Sequence, residues 1–274
     1  MRFVKMQGCG NDYVYLDGFR DLLPADLPAL ARRVSDRHFG IGSDGLIAIL
    51  PPQGAGADAR TRMWNADGSE AEMCGNGLRC VGKYLYETGH ARKDTLRVET
   101  GAGVLELRLV IEGGRVPRVR IVMGQPREEA RAVPIKALDR EFRADLISMG
   151  NPHAVIFLDG VEAFPVERYG PAIETLPRFP NRTNVEFVEA RSRREARQRT
   201  WERGAGETLA CGTGACAAAV AGIRAGLLDS PATIRLNGGD LAIDWRPGSP
   251  VVMEGPAVTV FTGELAESSG FSGS

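Results

Sequence analysis

Apolar and polar positions alternate along much of this chain, and Gly, Asp and Asn interrupt the alternation at short intervals. Leu96-Arg97-Val98-Glu99-Thr100, Gly101-Ala102-Gly103 and Val104-Leu105-Glu106-Leu107 read as two strands around a turn. Ile234-Arg235-Leu236, Asn237-Gly238-Gly239-Asp240 and Leu241-Ala242-Ile243-Asp244-Trp245 read the same way. Helical spacing is rarer. Residues 26–37 put Leu27, Leu30 and Val34 on one face, which predicts a surface helix. Ala215 to Ile223 is small and apolar on nearly every side, which predicts a helix buried all round, inside a strand-rich body. The pattern predicts a mixed α/β (α+β) chain, rich in strands and with few helices.

The pattern occurs twice. Trp64 lies ten positions before Cys74, and Trp201 ten before Cys211; each Cys opens a Cys-Gly-x-Gly turn into a helix-like run. Upstream, Gly10-Asn11 and Gly150-Asn151 each precede an apolar strand that ends at Asp-Gly, at Asp17-Gly18 and Asp159-Gly160. Asn11 lies 63 positions before Cys74, and Asn151 60 before Cys211. Downstream, Gly89 and Gly226 each stand 15 positions past their Cys as helix stops, and a hairpin-like pair follows each. Four kinds of element in one order indicate a duplication. The halves are expected to divide near Glu112-Gly113-Gly114-Arg115: residues 1–115 with Cys74, and 116–256 with Cys211. A last strand near 257–264 is expected to return to the first half, and 265–274 to form a frayed tail with little to bury.

Composition narrows the function. Of the 274 residues 43% are hydrophobic and 25% charged, as in globular proteins. A net charge of −1 argues against a nucleic-acid partner, and Arg191-Ser192-Arg193-Arg194 reads as a solvated face. No apolar run reaches membrane-spanning length, and the N-terminus lacks a signal-peptide core, so a cytoplasmic protein is expected. Five cysteines form no even disulfide framework; their spacings match no zinc knuckle, and only His38, His90 and His153 could add imidazole ligands. Cys9, Cys80 and Cys216 read as small buried residues.

Cys74 and Cys211 each sit just ahead of a helix, where unpaired N–H groups and the positive dipole end collect. That setting predicts a thiol pKa lowered from about 8.5 towards roughly 3.5–7.5. The same N–H groups can grip a carboxylate. Two such motifs offer two thiols and two half-cradles, the parts needed to take a proton from one face of a carbon and return one to the other. His153, beside Asn151 at a strand start, is a candidate member of the site. Asn65 and Glu202 both stand nine residues before their Cys but differ in charge. Glu202 there could receive a substrate ammonium or pair with Arg203.

These residues closely resemble those of the diaminopimelate epimerase family. The signatures are Gly8-Cys9-Gly10-Asn11-Asp12, Gly40-Ile41-Gly42-Ser43-Asp44-Gly45, Asn65-Ala66-Asp67-Gly68-Ser69-Glu70, Cys74-Gly75-Asn76-Gly77-Leu78-Arg79-Cys80, Met149-Gly150-Asn151-Pro152-His153, Arg182-Thr183-Asn184-Val185, and Glu202-Arg203-Gly204-Ala205-Gly206-Glu207-Thr208, ending at Ala210-Cys211-Gly212-Thr213-Gly214. The likeness runs from Met1 to about Gly263. It implies two similar domains related by a pseudo-two-fold, each a strand-rich barrel around a central helix, with the site in the cleft between them. It implies interconversion of LL- and meso-2,6-diaminopimelate for lysine and peptidoglycan synthesis, without pyridoxal phosphate, other cofactor or metal, commonly in a homodimer. Cys74 and Cys211 would be the acid/base thiols, with His153 and Glu202 assisting. Gly75, Asn76, Gly212 and Thr213 would bind the reacting carboxylate. Asn11, Asn65, Asn151, Asn184, Glu202 and Arg203 would hold the amino and carboxyl groups. Some relatives carry Gln where this chain has Gly45, which offers only backbone, and Cys9 stands where an apolar residue is more usual.

Two other readings use the same residues. One is racemisation or epimerisation of another amino acid, such as proline or hydroxyproline. The other is a thiol–disulfide redox protein, although neither Cys74 nor Cys211 has a CxxC partner. A pyridoxal enzyme needs a Schiff-base lysine, and Lys5, Lys83, Lys93 and Lys136 all lie outside the matched motifs.

Overall fold

The computed structural model describes residues 1–265, so all but the first residue of the expected tail lies outside the described residues. Contacts divide the chain into two units, Met1–Val119 with the segment from Ala257 onward, and Arg120–Pro256.

The first unit contains β1 (Arg2–Gly8), β2 (Asn11–Asp17), α1 (Leu27–Ser35), β3 (Gly45–Leu50), β4 (Ala59–Asn65), β5 (Glu70–Ala71), α2 (Gly75–Glu87), β6 (Thr95–Thr100) and β7 (Gly103–Glu112). The turn at Gly113-Gly114 leads into β8 (Arg115–Val122), and the division falls inside that strand, between Val119 and Arg120, not at the glycine turn. A glycine pair is a turn signal, and here the turn joins two strands.

The second unit contains β9 (Arg127–Ala137), β10 (Arg140–Ser148), β11 (Pro152–Phe157), a 3-10 turn (Val161–Ala163), α3 (Val166–Glu174), β12 (Asn184–Ser192), β13 (Glu195–Glu202), β14 (Gly206–Thr208), α4 (Gly212–Arg224), β15 (Ala232–Leu236), β16 (Gly239–Asp244) and β17 (Val252–Pro256). The chain then returns as β18 (Val258–Glu264), which pairs antiparallel with β1.

The pairings of the two units correspond one for one. β1 pairs antiparallel with β2, β2 parallel with β3, β3 antiparallel with β4, and β4 parallel with β6, which pairs antiparallel with β7. β10, β11, β12, β13, β15 and β16 repeat that series in the second unit. β9 stands on β10 as β18 stands on β1. Each parallel step needs a crossover, and the helices supply them. α1 and α3 carry the first in each unit, α2 and α4 the second.

α1 is shorter than the 26–37 expected. Asp26 caps it by accepting from the Ala29 N–H at 2.9 Å. Asp36 leaves helical geometry and accepts from the His38 and Phe39 N–H groups instead. Leu27, Leu30, Ala31 and Val34 pack with Phe3, Val14, Leu16, Leu46 and Trp64. α4 is buried continuously from Gly214 to Gly222 and contacts β10, β11, β12, β13, β15 and β16, as its apolar sequence requires. α2 contacts β1, β2 and β7. Both helices stop where predicted, with Gly89 and Gly226 in the left-handed region at φ 83° and 70°. No helix among the described residues is long and apolar enough to cross a membrane.

Candidate active site

In the first unit, Cys74 is the extended N-cap of α2. Its Sγ donates to Asn11 Oδ1 at 3.1 Å, and Asn76 Nδ2 donates to the same oxygen at 3.5 Å. Asn11 is oriented from behind, since its Nδ2 donates to Asp44 Oδ2 at 2.6 Å. Arg37 in turn holds Asp44 and Asp12. Asn65 ends β4 in a turn, its Nδ2 donating to Ser69 Oγ at 3.0 Å. Gly75 opens α2, whose first intrahelical bond runs from the Leu78 N–H to the Cys74 carbonyl. The N–H groups before Leu78 therefore have no partner within the helix.

In the second unit, Cys211 is the extended N-cap of α4, and its Sγ accepts from the Gly214 N–H at 3.4 Å. Thr213 Oγ1 lies 3.5 Å from the sulfur and accepts from Asn151 Nδ2 at 3.2 Å. Asn151 Oδ1 faces His153 Nε2 at 3.0 Å, and His153 Nδ1 lies 2.6 Å from Glu186 Oε1. Gly212 opens α4 as Gly75 opens α2. Glu202 accepts from the Thr208 hydroxyl and stands beside Cys211. The alternative, a pairing of Glu202 with Arg203, is not formed; that guanidinium donates to the Asn181 carbonyl at 3.2 Å. Asn184 is tied at both ends of its amide, Nδ2 to the Pro152 carbonyl and Oδ1 to the Arg203 N–H, both at 2.9 Å.

The electrostatics reverse one expectation. Both thiols were expected to be acidic, and both are instead held above the ordinary thiol range. For Cys74, burial outweighs the lowering effects of the Gly77 N–H, the Tyr13 hydroxyl and the Asn76 N–H. For Cys211, burial is joined by the Glu202 and Glu186 carboxylates and pushes the thiol much further up, against Thr213 and the Gly214 N–H. Helix-end dipoles act weakly beside the desolvation of a sulfur anion. Burial also raises Glu202 and Glu186.

Four residues escaped sequence reasoning. Tyr13 packs against Cys74, and Asp44 orients Asn11. Glu186 is fully buried beneath His153. Glu174, also buried, accepts from Trp201 Nε1 at 2.7 Å and the Gly204 N–H at 2.9 Å, fixing the turn that carries Glu202 and Arg203. Asp44 stood inside a matched motif and Tyr13 just past one; Glu186 and Glu174 carried no signal beyond being carboxylates in apolar runs. A cavity of about 860 Å³ lies in the first unit against β1 and β18, lined by residues such as Tyr15, Lys83 and Tyr84, and touches none of the candidate residues. Among the described residues, no group of three or more His, Cys, Asp or Glu is placed to hold a metal ion.

The duplicated cysteine motifs therefore sit at matched helix starts, each with its asparagine in contact. The family model for diaminopimelate epimerase matches residues 3–128 and 146–260. The chain belongs to the diaminopimelate epimerase family. It is 50% identical to the diaminopimelate epimerase of Moorella thermoacetica over 278 residues, covering 97% of this chain and 99% of that one. Identity to the diaminopimelate epimerase of Methanococcus maripaludis is 46%, with the same coverage of each. Among solved structures, a phenazine biosynthesis protein of Bacillus anthracis shares the fold at 17% identity, with a TM-score of 0.74 over 97% of this chain and 99% of that one. A probable proline racemase from Agrobacterium radiobacter does so at 19% identity, with a TM-score of 0.72 over 97% and 92%. Within the diaminopimelate epimerase family this member has no room for a side chain at Gly45: a Cβ there would lie 2.1 Å from the Trp64 carbonyl oxygen.

Proposed function

We propose that this chain interconverts LL- and meso-2,6-diaminopimelate by direct proton transfer at the α-carbon, with Cys74 and Cys211 as the two acid/base groups. The supporting observation is the pair of thiols at matched helix N-termini, Cys74 bonded to Asn11 and Cys211 joined through Thr213 to Asn151, the asparagine of the same repeat position. One thiolate takes the α-proton from one face of the carbon while the other thiol gives a proton to the opposite face, and the reverse reaction exchanges the roles. The α-proton is weakly acidic, so a buried thiol with a raised pKa gives, once ionised, a stronger base than an acidic one would. The N–H groups of Gly75, Asn76, Gly212 and Thr213 receive the reacting carboxylate and the negative charge that develops on it. Asn11, Asn65, Asn151, Asn184, Glu202 and Arg203 hold the remaining amino and carboxyl groups, with Glu202 receiving an ammonium. His153 and Glu202 govern the charge around Cys211.

The reaction would serve lysine and peptidoglycan precursor synthesis in the cytoplasm. The working form would be a homodimer, for which exposed Val260 and Phe261 on β18 offer an apolar strand to cover.

The test is α-deuterium wash-in from deuterated water under reducing conditions, with LL-diaminopimelate, glutamate and proline competing. Diaminopimelate is expected to gain the label with inversion, and Cys74→Ala and Cys211→Ala each to abolish it. Faster labelling of proline would move the assignment to a racemase, and a Cys211→Ala variant that inverts at near full rate would end the two-thiol scheme. Labelling of no amino acid would leave thiol–disulfide exchange as the reading to pursue.

A further inference from the structure

The two asparagines beside the thiols present their amides in opposite senses. In the first unit, Asn11 turns its NH2 to Asp44, an acceptor-only carboxylate, so its carbonyl oxygen faces Cys74 and receives the S–H. Asn76 also donates to that oxygen. In the second unit, Asn151 turns its oxygen to His153 Nε2 and its NH2 to Thr213, which takes the place of Asn76. Thr213 Oγ1 accepts that bond, which leaves its own hydrogen free for the Cys211 sulfur at 3.5 Å. The chain of donors in the second unit points at its sulfur. In the first unit it points away.

What lies behind His153 decides this. The register places Glu186 two residues beyond Asn184, the partner of His153; the same register in the first unit places Ile47 two beyond Gly45, the partner of Tyr13. An isoleucine and a tyrosine in one copy of the repeat are a carboxyl and an imidazole in the other. Glu186 is fully buried, its Oε1 is 2.6 Å from His153 Nδ1, and its Oε2 has no hydrogen-bond partner. A lone carboxylate in that setting is disfavoured, so the pair keeps a second proton, as Glu–COOH with neutral imidazole or as carboxylate with imidazolium. In both forms Nε2 carries hydrogen and donates to Asn151. Only the singly protonated pair, with hydrogen on Nδ1, would bare Nε2, turn the Asn151 amide over and withdraw the Thr213 hydrogen from Cys211.

We propose that Glu186 is a positioning residue that fixes the hydrogen of His153 on Nε2, and so keeps the chain His153–Asn151–Thr213 donating towards Cys211. The proposal deepens the epimerase reading and rests on it for its kinetic arm, while its structural arm is independent of any substrate. Gly214 belongs to the same device: a Cβ there would stand 2.3 Å from Glu186 Oε1, so the glycine makes room for the carboxyl.

The experiment is ¹⁵N NMR of histidine-labelled protein, with the His153 imidazole identified by its loss in His153→Gln. The wild type is expected to show Nε2 protonated at neutral pH. In Glu186→Gln, whose amide can either donate to Nδ1 or accept from it, the Nε2 signal is expected to move towards the unprotonated range. kcat is expected to fall about tenfold or more, with KM within about twofold. Glu186→Ile, which copies the packing of Ile47, should shift the same signal and serves if the glutamine variant does not fold. A bare Nε2 in the wild type overturns the proposal, as does a kcat loss in either variant with both imidazole nitrogens unmoved. Failure of the wild type to label diaminopimelate would remove the epimerase reading while leaving the tautomer result to decide this one.

Discussion

Loss of water around a thiol favours its protonated form, and in this chain that effect outweighs the helix end on which each thiol sits. The neighbouring carboxyls follow the same rule. Glu202 is raised first by burial and then by Glu186. A carboxyl whose folded pKa lies above its unfolded value holds its proton longer in the native state. The stability it contributes is present below the ordinary carboxylate pKa of about 4.3 and is lost as the pH climbs through the raised value. Glu202→Gln is therefore expected to be more stable than the wild type at pH 8, by on the order of 1 kcal/mol, with the difference shrinking towards pH 4. Thermal melts across that range would show it, and inversion activity should fall together with the gain in stability. An advantage that stayed constant with pH would assign the effect to packing. The thiols and Glu202 were legible as residues because the repeat marked them. Their ionisation was not, because burial is decided by strands distant in sequence.

At the scale of elements, the first turns of α2 and α4 look interchangeable in sequence and are not interchangeable in space. Gly77 faces the tip of Ile47, where a Cβ would meet Cδ1 at 2.6 Å, with the next neighbours at 3.6 Å. A side-chain tip can swing, and alanine is the better helix former. Gly77→Ala should change stability by under about 1 kcal/mol. Gly214 faces a carboxyl held by His153, with the Cys211 sulfur at 3.2 Å from the same Cβ. Gly214→Ala should cost about 1–3 kcal/mol in denaturant titration and most of the activity. Gly45 is stricter still, because its neighbour is backbone in the paired strand β4. Gly45→Ala is expected to cost more than about 2 kcal/mol, since the strands must part to admit it. The alternation of β12 also explains why Glu186 was missed. Val185 and Phe187 fill one face, and a period-two reading sends Asn184 and Glu186 to solvent. α4 covers that second face, so both sets are buried.

Over the whole molecule, the path of the chain matters more than its division into halves. β18 leaves the second unit and completes the first by pairing with β1 from Arg2↔Glu264 to Gln7↔Val258. Truncation after Pro256 is expected to unzip that edge. Amide exchange in β1 and β2 should accelerate by at least about tenfold, while protection in α4 and β12 persists. Uniform loss of protection in both units would show that they unfold as one. The duplication itself was readable because spacing survives where identity does not: Trp64 and Trp201 keep their distance to Cys although one indole is fully buried and the other is bonded to Glu174. The division inside β8 was not readable, since a strand that passes from one unit to the other carries no turn, glycine or change of composition at the crossing.

By itself the sequence determined the repeat, the shared order of the elements that recur in it, the buried character of α4, and the two cysteines at helix starts, because periodicity, spacing and turn chemistry are local properties. Tertiary structure alone decided that burial pushes both thiols above their ordinary range, that Asn184 is tied to backbone, and that a glutamate of β12 stands behind His153. Those outcomes depend on desolvation and on which strands lie side by side, and neither is written in the spacing of a single segment.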